Sequence, residues 1–308
     1  MIKSFSSNGA WPTMITPFMD DGKIDYNALE NLINWYIENG ADGLFSTCQS
    51  SEIFYLSLEE RVKLSRFVKE QAAGRIPVIA SGHISYDIDD QIKELNAIAE
   101  CGVDAVILIS NRLASPDESD EVFLERLDKI VNSLPSEVPL GFYECPYPYK
   151  RVLTPAVINY CTASGRFYFL KDTCCNISQI SNKLKLLKDS NMHLYNANTA
   201  TLLRSLQLGA SGYSGVMANF QMKLYSWIVK HWEDQPELAN KLQSVLTVCS
   251  YIELKDYPQS AKGYLNMLSV SMSPRCRKTL QADLSADDYA ELKQILDLTK
   301  GLEKKLCI

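Results

Sequence analysis

Lys171 ends an aromatic, apolar run, Phe167-Tyr168-Phe169-Leu170-Lys171-Asp172-Thr173. A lysine in that setting could do covalent chemistry. Apolar surroundings disfavour the ammonium and lower its pKa. Bringing a lysine from about 10.4 to about 7 costs roughly 4–5 kcal/mol and leaves an amine able to attack a keto carbon. The bland alternative is a lysine that snorkels from the rim of its element into solvent. A second run, Leu140-Gly141-Phe142-Tyr143-Glu144-Cys145-Pro146, ends close to a phenol. Tyr143 could carry protons to and from a carbinolamine, or be a packed core tyrosine.

Two polar segments could hold the rest of a substrate. Ser46-Thr47-Cys48-Gln49-Ser50-Ser51-Glu52 offers hydroxyls and backbone N–H groups suited to a carboxylate. Gly209-Ala210-Ser211-Gly212-Tyr213-Ser214-Gly215 has glycines that would let backbone approach a ligand. It lacks the GxGxxG spacing of a dinucleotide site. The three histidines, His83, His193 and His231, are scattered. None has a carboxylate or cysteine partner at metal-ligand spacing, so neither a metal nor a cofactor is expected.

These segments need elements to present them. Short apolar runs at 13–17, 43–46, 77–81, 105–110, 140–144, 168–171, 193–195 and 212–216 alternate with helical periodicity near 26–39, 57–74, 87–101, 117–133, 154–163, 177–189 and 198–208. Ser57, with Glu60 three residues on, has the spacing of a capping box. Eight strands interleaved with helices predict an α/β fold, a (β/α)₈ barrel over 1–235. The sequence 236–308 reads as helices only, near 236–255, 259–270 and 286–305. It is expected to form a C-terminal helical appendage packed on the barrel. In such barrels, chemistry sits at the C-terminal ends of the strands. Lys171, Tyr143, Gln49, Ser50 and Ser214 all fall there.

Composition excludes several classes. The chain has 308 residues, a formal net charge of -6 and no basic block, which argues against nucleic acid. The 183–188 stretch, KLKLLK, reads as the wet face of a helix. No apolar run approaches the roughly 20 residues needed to cross a bilayer, and the opening residues lack a secretory apolar core. Nine cysteines without CxxC spacing suggest a reduced, cytoplasmic protein.

In order and spacing, the segments resemble the dihydrodipicolinate synthase / N-acetylneuraminate lyase family of class I aldolases. The likeness covers nearly the whole chain. WPTMITPFMDDGKID resembles the family opening, LSLEER its Leu-Ser-x-x-Glu-Arg helix start, FYECP its Tyr-Asn-x-Pro motif and FLKDT its Schiff-base lysine. GASGYSGVMANF resembles its eighth strand, and AKGYLNMLSVSMSPRCRKTL its C-terminal helices. The resemblance implies an imine between Lys171 and a 2-keto acid such as pyruvate, with an aldehyde as second substrate. It implies that Tyr143 moves protons, and that Gln49 and Ser50 take the place of the loop that grips the carboxylate. Thr173 matches a hydroxyl of the sialate lyases. It further implies a homo-oligomer, dimer or homotetramer.

The departures are specific. Cys48, Gln49 and Ser51 replace the first glycine, first hydroxyl and second glycine of the family's Gly-Thr-Thr-Gly-Glu loop. Ser110-Asn111-Arg112-Leu113 has no tyrosine where the synthases carry a relay tyrosine, and Pro148 stands where they carry an arginine. The expectation is therefore a lyase that is not a true dihydrodipicolinate synthase, with Arg112, Asn196 and Asn198 reading distal hydroxyls of a sugar acid. Two alternatives remain: a keto-deoxy sugar acid dehydratase using the same imine, or a non-catalytic binder of small acids.

Overall fold

The computed structural model describes residues 8–279 and 284–308. Residues 1–7 of the opening stretch and Leu280 of the tail segment lie outside them. Eight strands pair in parallel: β1 (Gly9–Ala10), β2 (Leu44–Phe45), β3 (Val78–Ala80), β4 (Ala105–Ile109), β5 (Leu140–Tyr143), β6 (Phe167–Asp172), β7 (His193–Asn196) and β8 (Gly212–Tyr213). Their order is β1-β8-β7-β6-β5-β4-β3-β2. A parallel bridge between Thr13 and Phe45 closes the ring, with the Met14 N–H donating to Phe45 O at 3.0 Å. This is the expected (β/α)₈ barrel.

The first strand differs from its expected 13–17. It starts at Gly9, and Thr13 contributes only the closing bridge. Pro12 and Pro17 lack the N–H that a continued ladder requires. On β8, Gly212 has φ +156°, and a Cβ there would lie 1.8 Å from Gly9 O. This glycine therefore serves the β1–β8 contact, rather than the ligand approach inferred from the sequence.

Alternation along β4 explains its wholly apolar sequence. Ala105, Ile107 and Ile109 join Trp11, Phe45, Ile79, Phe169 and Tyr195 inside the barrel. Val106 and Leu108 pack outward under the helices. Both faces are buried, as a parallel barrel requires, and each such side chain contributes about 1.5–3 kcal/mol.

The surrounding helices are α1 (Tyr26–Glu38), α2 (Leu58–Ala72), α3 (Ile88–Ala99), α4 (Ser110–Leu113), α5 (Asp120–Ser133), α6 (Pro155–Ser164), α7 (Ile177–Leu187), α8 (Leu202–Gln207) and α9 (Met222–His231). Ser57 and Glu60 form the anticipated capping box at α2. The short α4 and the helix α9 carry no range in the sequence reading. Beyond them lie α10 (Pro236–Cys249), α11 (Gln259–Met267) and α12 (Ala286–Leu306). The helix expected over 236–255 stops at Cys249 and tightens into a 3₁₀ turn, Ser250–Leu254. Helix α10 packs on α9 and α8, while α12 packs on α11 and α9. No described helix is long and apolar enough to cross a membrane.

Candidate active site

Tyr143 and Lys171 are partners in the β5–β6 ladder. Both point into the barrel mouth. Lys171 is 4% exposed, and its Nζ lies 4.1 Å from the Tyr143 ring centroid and 5.9 Å from that of Phe45. Burial lowers its pKa, against a smaller opposite pull from Cys48, Cys145 and Glu253. The ring faces favour a cation by about 0.5–2 kcal/mol. Stripping an ammonium of water costs several kcal/mol, so burial wins and the amine is biased towards its neutral, nucleophilic form.

The next residue on each strand, Glu144 and Asp172, points the other way. Both carboxylates meet Lys183, whose Nζ donates to Glu144 Oε1 and, at 2.5 Å, to Asp172 Oδ2. Glu144 also accepts from the N–H of Leu153 at 2.8 Å and of Thr173 at 3.1 Å. Burial opposes the Lys183 charge, but the two carboxylates outweigh it and raise its pKa. This corrects the reading of KLKLLK as a solvent face. Lys183 is buried with Ile180 and Leu187 on the inward stripe of α7, and only Lys185 and Lys188 are exposed.

The loop after β2 approaches Tyr143 from across the barrel. Gln49, Ser50 and Ser51 form a 3₁₀ turn closed by Ser51, whose Oγ accepts from Cys48 N and donates to Cys48 O, both at 2.7 Å. Gln49 Oε1 accepts from Tyr143 Oη at 3.3 Å and from Cys145 Sγ at 3.4 Å. Ser50 Oγ donates to Thr13 Oγ1 at 3.1 Å. Burial pushes the Tyr143 phenol well above its ordinary range, with Cys145 and Cys48 adding to the effect. Tyr143 is thus a proton donor tied to an amide oxygen.

A cavity of about 400 Å³ opens over these groups, lined by Lys171, Tyr143, Gln49, Ser50, Thr173 and Asn198. The Thr173 hydroxyl is committed to Glu144 O at 2.5 Å. The Asn198 side chain caps a turn by accepting from Thr201 N at 3.1 Å. Other expected contacts lie away from this cavity. Asn196 is fully buried, its Nδ2 donating to Thr201 and Ser205 and its Oδ1 accepting from Asn198 N. Ser214 is also fully buried, outside the lining. Arg112 is held between Phe54 and Tyr86, 4.9 and 4.7 Å from their ring centroids. His83 accepts from Ile109 N at 2.6 Å and pairs with Gln91 at 2.8 Å, a structural role.

The sequence reading missed the roof. Glu253, Leu254, Tyr257 and Lys278 come from the C-terminal segments to line the cavity, with Lys150 and Tyr147 from the loop after β5. Among the described residues, no group of three or more His, Cys, Asp or Glu could hold a metal ion.

The molecule is an α/β barrel with a buried lysine and a tyrosine on neighbouring strands at its C-terminal mouth. The chain belongs to the Dihydrodipicolinate synthetase family, whose model matches residues 6–299. It is similar to a 4-hydroxy-tetrahydrodipicolinate synthase of Oceanobacillus iheyensis, 29% identical over 259 residues, covering 83% of this chain and 86% of that protein. A synthase of the same name from Methanothrix thermoacetophila is 27% identical over 293 residues, covering 94% and 95%. The fold also matches a solved prophage protein of the dihydrodipicolinic acid synthase family from E. coli K12 in complex with pyruvate. Its TM-score is 0.85 at 22% identity, covering 95% of this chain and 98% of that one.

Proposed function

We propose that this protein is a class I aldolase or lyase that binds a 2-keto acid, pyruvate or a pyruvate-releasing keto-deoxy sugar acid, as an imine on Lys171. The observation that carries the reading is the buried Lys171 amine over the Tyr143 ring, with no hydrogen-bond or ion-pair partner among the described residues. The amine attacks the keto carbon. Tyr143 donates a proton as the carbinolamine loses water, and the protonated imine then acts as an electron sink, taking up the electron pair of the breaking carbon–carbon bond in cleavage or of a C3–H bond ahead of condensation. Ser50 and the backbone of its turn meet the carboxylate.

Family membership and the pyruvate-bound relative support the keto acid. The departures at Gln49, Arg112 and Pro148 argue for a second substrate other than that of the relatives named as synthases. Nine cysteines suit the reduced cytoplasm, and a homo-oligomer is the assembly proposed.

The test is intact mass after incubation with pyruvate and borohydride, alongside Lys171→Ala. A pyruvate-sized adduct absent from the variant is expected. An equal adduct in both proteins refutes the role of Lys171. No adduct in the folded wild type, with pyruvate or longer keto-deoxy acids, favours a non-catalytic binder. Product analysis then separates cleavage to pyruvate and aldehyde from loss of water.

A further inference from the structure

Once an imine has formed, a proton must leave C3 of the keto acid before that carbon can attack an aldehyde. The Tyr143 hydroxyl is held by Gln49, an amide that cannot relay a proton as a hydroxyl does, so a carboxyl facing the cavity is the alternative base. Among the described lining residues, only Glu52 and Glu253 carry carboxyls. Glu52 is consumed by the fold: its Oε2 accepts from the N–H of Arg277 at 2.6 Å and of Lys278 at 2.7 Å, and Lys262 lies 3.7 Å from its Oε1. Glu253 sits on the 3₁₀ turn that roofs the cavity. It has no hydrogen-bond or ion-pair partner among the described residues, and its charge and that of Lys171 act on each other across the cavity. Burial raises its pKa, which strengthens it as a base when ionised.

Resting on the Schiff-base reading, we propose that Glu253 is the general base of this site, removing the C3 proton of the imine and returning it to the oxygen of the aldehyde partner. The C3–H bond breaks and its proton passes to the carboxylate. The electron pair forms the C3–C2 double bond, and the imine π pair moves to the Lys171 nitrogen, giving a neutral enamine. In condensation the enamine forms the C3–C4 bond, the aldehyde π pair moves to oxygen, and that oxygen takes the proton from Glu253. Cleavage is the reverse. No oxidant or metal is required.

Pyruvate alone tests this, without knowledge of the aldehyde. Exchange of its methyl protons in D₂O, followed by proton NMR, reports C3–H removal, while borohydride trapping reports the imine. In Glu253→Gln the adduct is expected to persist, with exchange slowed about 100-fold or more, the scale of one acid–base group. Glu253→Asp keeps a carboxyl and is expected to exchange within about tenfold of wild type. Unchanged exchange in Glu253→Gln overturns the proposal. So does a wild type that traps pyruvate without exchanging it, and so does loss of the adduct in folded Glu253→Gln, which would assign Glu253 to imine formation. Should Glu253→Gln not fold, Glu253→Ala with added formate decides: restored exchange supports the base, and none overturns it. Absence of any wild-type adduct removes the Schiff-base reading itself.

Discussion

Tyr143 and Lys171 stand opposite each other in the β5–β6 ladder, and this register puts the lysine Nζ 4.1 Å from the phenol ring centroid. One residue on, Glu144 and Asp172 turn outward and share Lys183. Strand alternation thus separates a reacting face from an ion-paired supporting face, one peptide apart.

Lys171→Met is expected to stabilise the protein while abolishing imine trapping. The folded pKa of Lys171 lies below its ordinary 10.5. Between those two values the unfolded chain binds more protons, so stability rises with pH through that window. At neutral pH the wild type bears the cost of the buried amine. The variant is expected to gain roughly 0.5–2 kcal/mol in urea unfolding, and the gain is expected to shrink as pH approaches 10.5. A destabilised variant would contradict this account.

Lys183→Met removes the cation that two buried carboxylates share. Breaking a buried ion pair from one side costs about 3–5 kcal/mol. Chemical denaturation is expected to show that loss, and the double variant with Glu144→Gln is expected to recover part of it. A cost below about 1 kcal/mol would assign Lys183 the surface role read from its sequence.

Gln49→Leu deprives the buried Tyr143 hydroxyl of its acceptor at 3.3 Å. An unpaired buried hydroxyl costs about 1–3 kcal/mol. Adding Tyr143→Phe to Gln49→Leu is expected to cost less than the sum of the two single changes, a coupling that a double-mutant cycle measures. Simple additivity would mean that the two side chains do not interact.

His83 governs an acid limb of stability. Burial lowers its pKa from 6.5 to about 4, Gln91 opposing. Between those values the unfolded chain carries the proton and the folded chain does not, so stability falls as pH drops from 6.5 towards about 4. The full window is worth about 3 kcal/mol. Melting temperatures of His83→Gln across this range are expected to fall less steeply than those of the wild type. Parallel curves would contradict the assignment.

The sequence by itself determined the barrel, the nucleophile candidate Lys171 and the inward tyrosine. These follow from local patterns: apolar strands, alternating helices, and a lysine or phenol at a strand's end. Other features are relations between distant residues, which only the tertiary structure decided. Lys183 looked like one more lysine of KLKLLK, because its partners Glu144 and Asp172 lie on two other elements. Asn196 falls at the right strand end yet is spent on a neighbouring turn, and Ser214 is buried outside the cavity lining. Glu253 gave no local sign, because a residue from the C-terminal helices reaches the barrel mouth only when α10 packs on α8 and α9. Strand periodicity is written into two or three residues of sequence, whereas a partner some 40 or 80 positions away is fixed only when the ring closes.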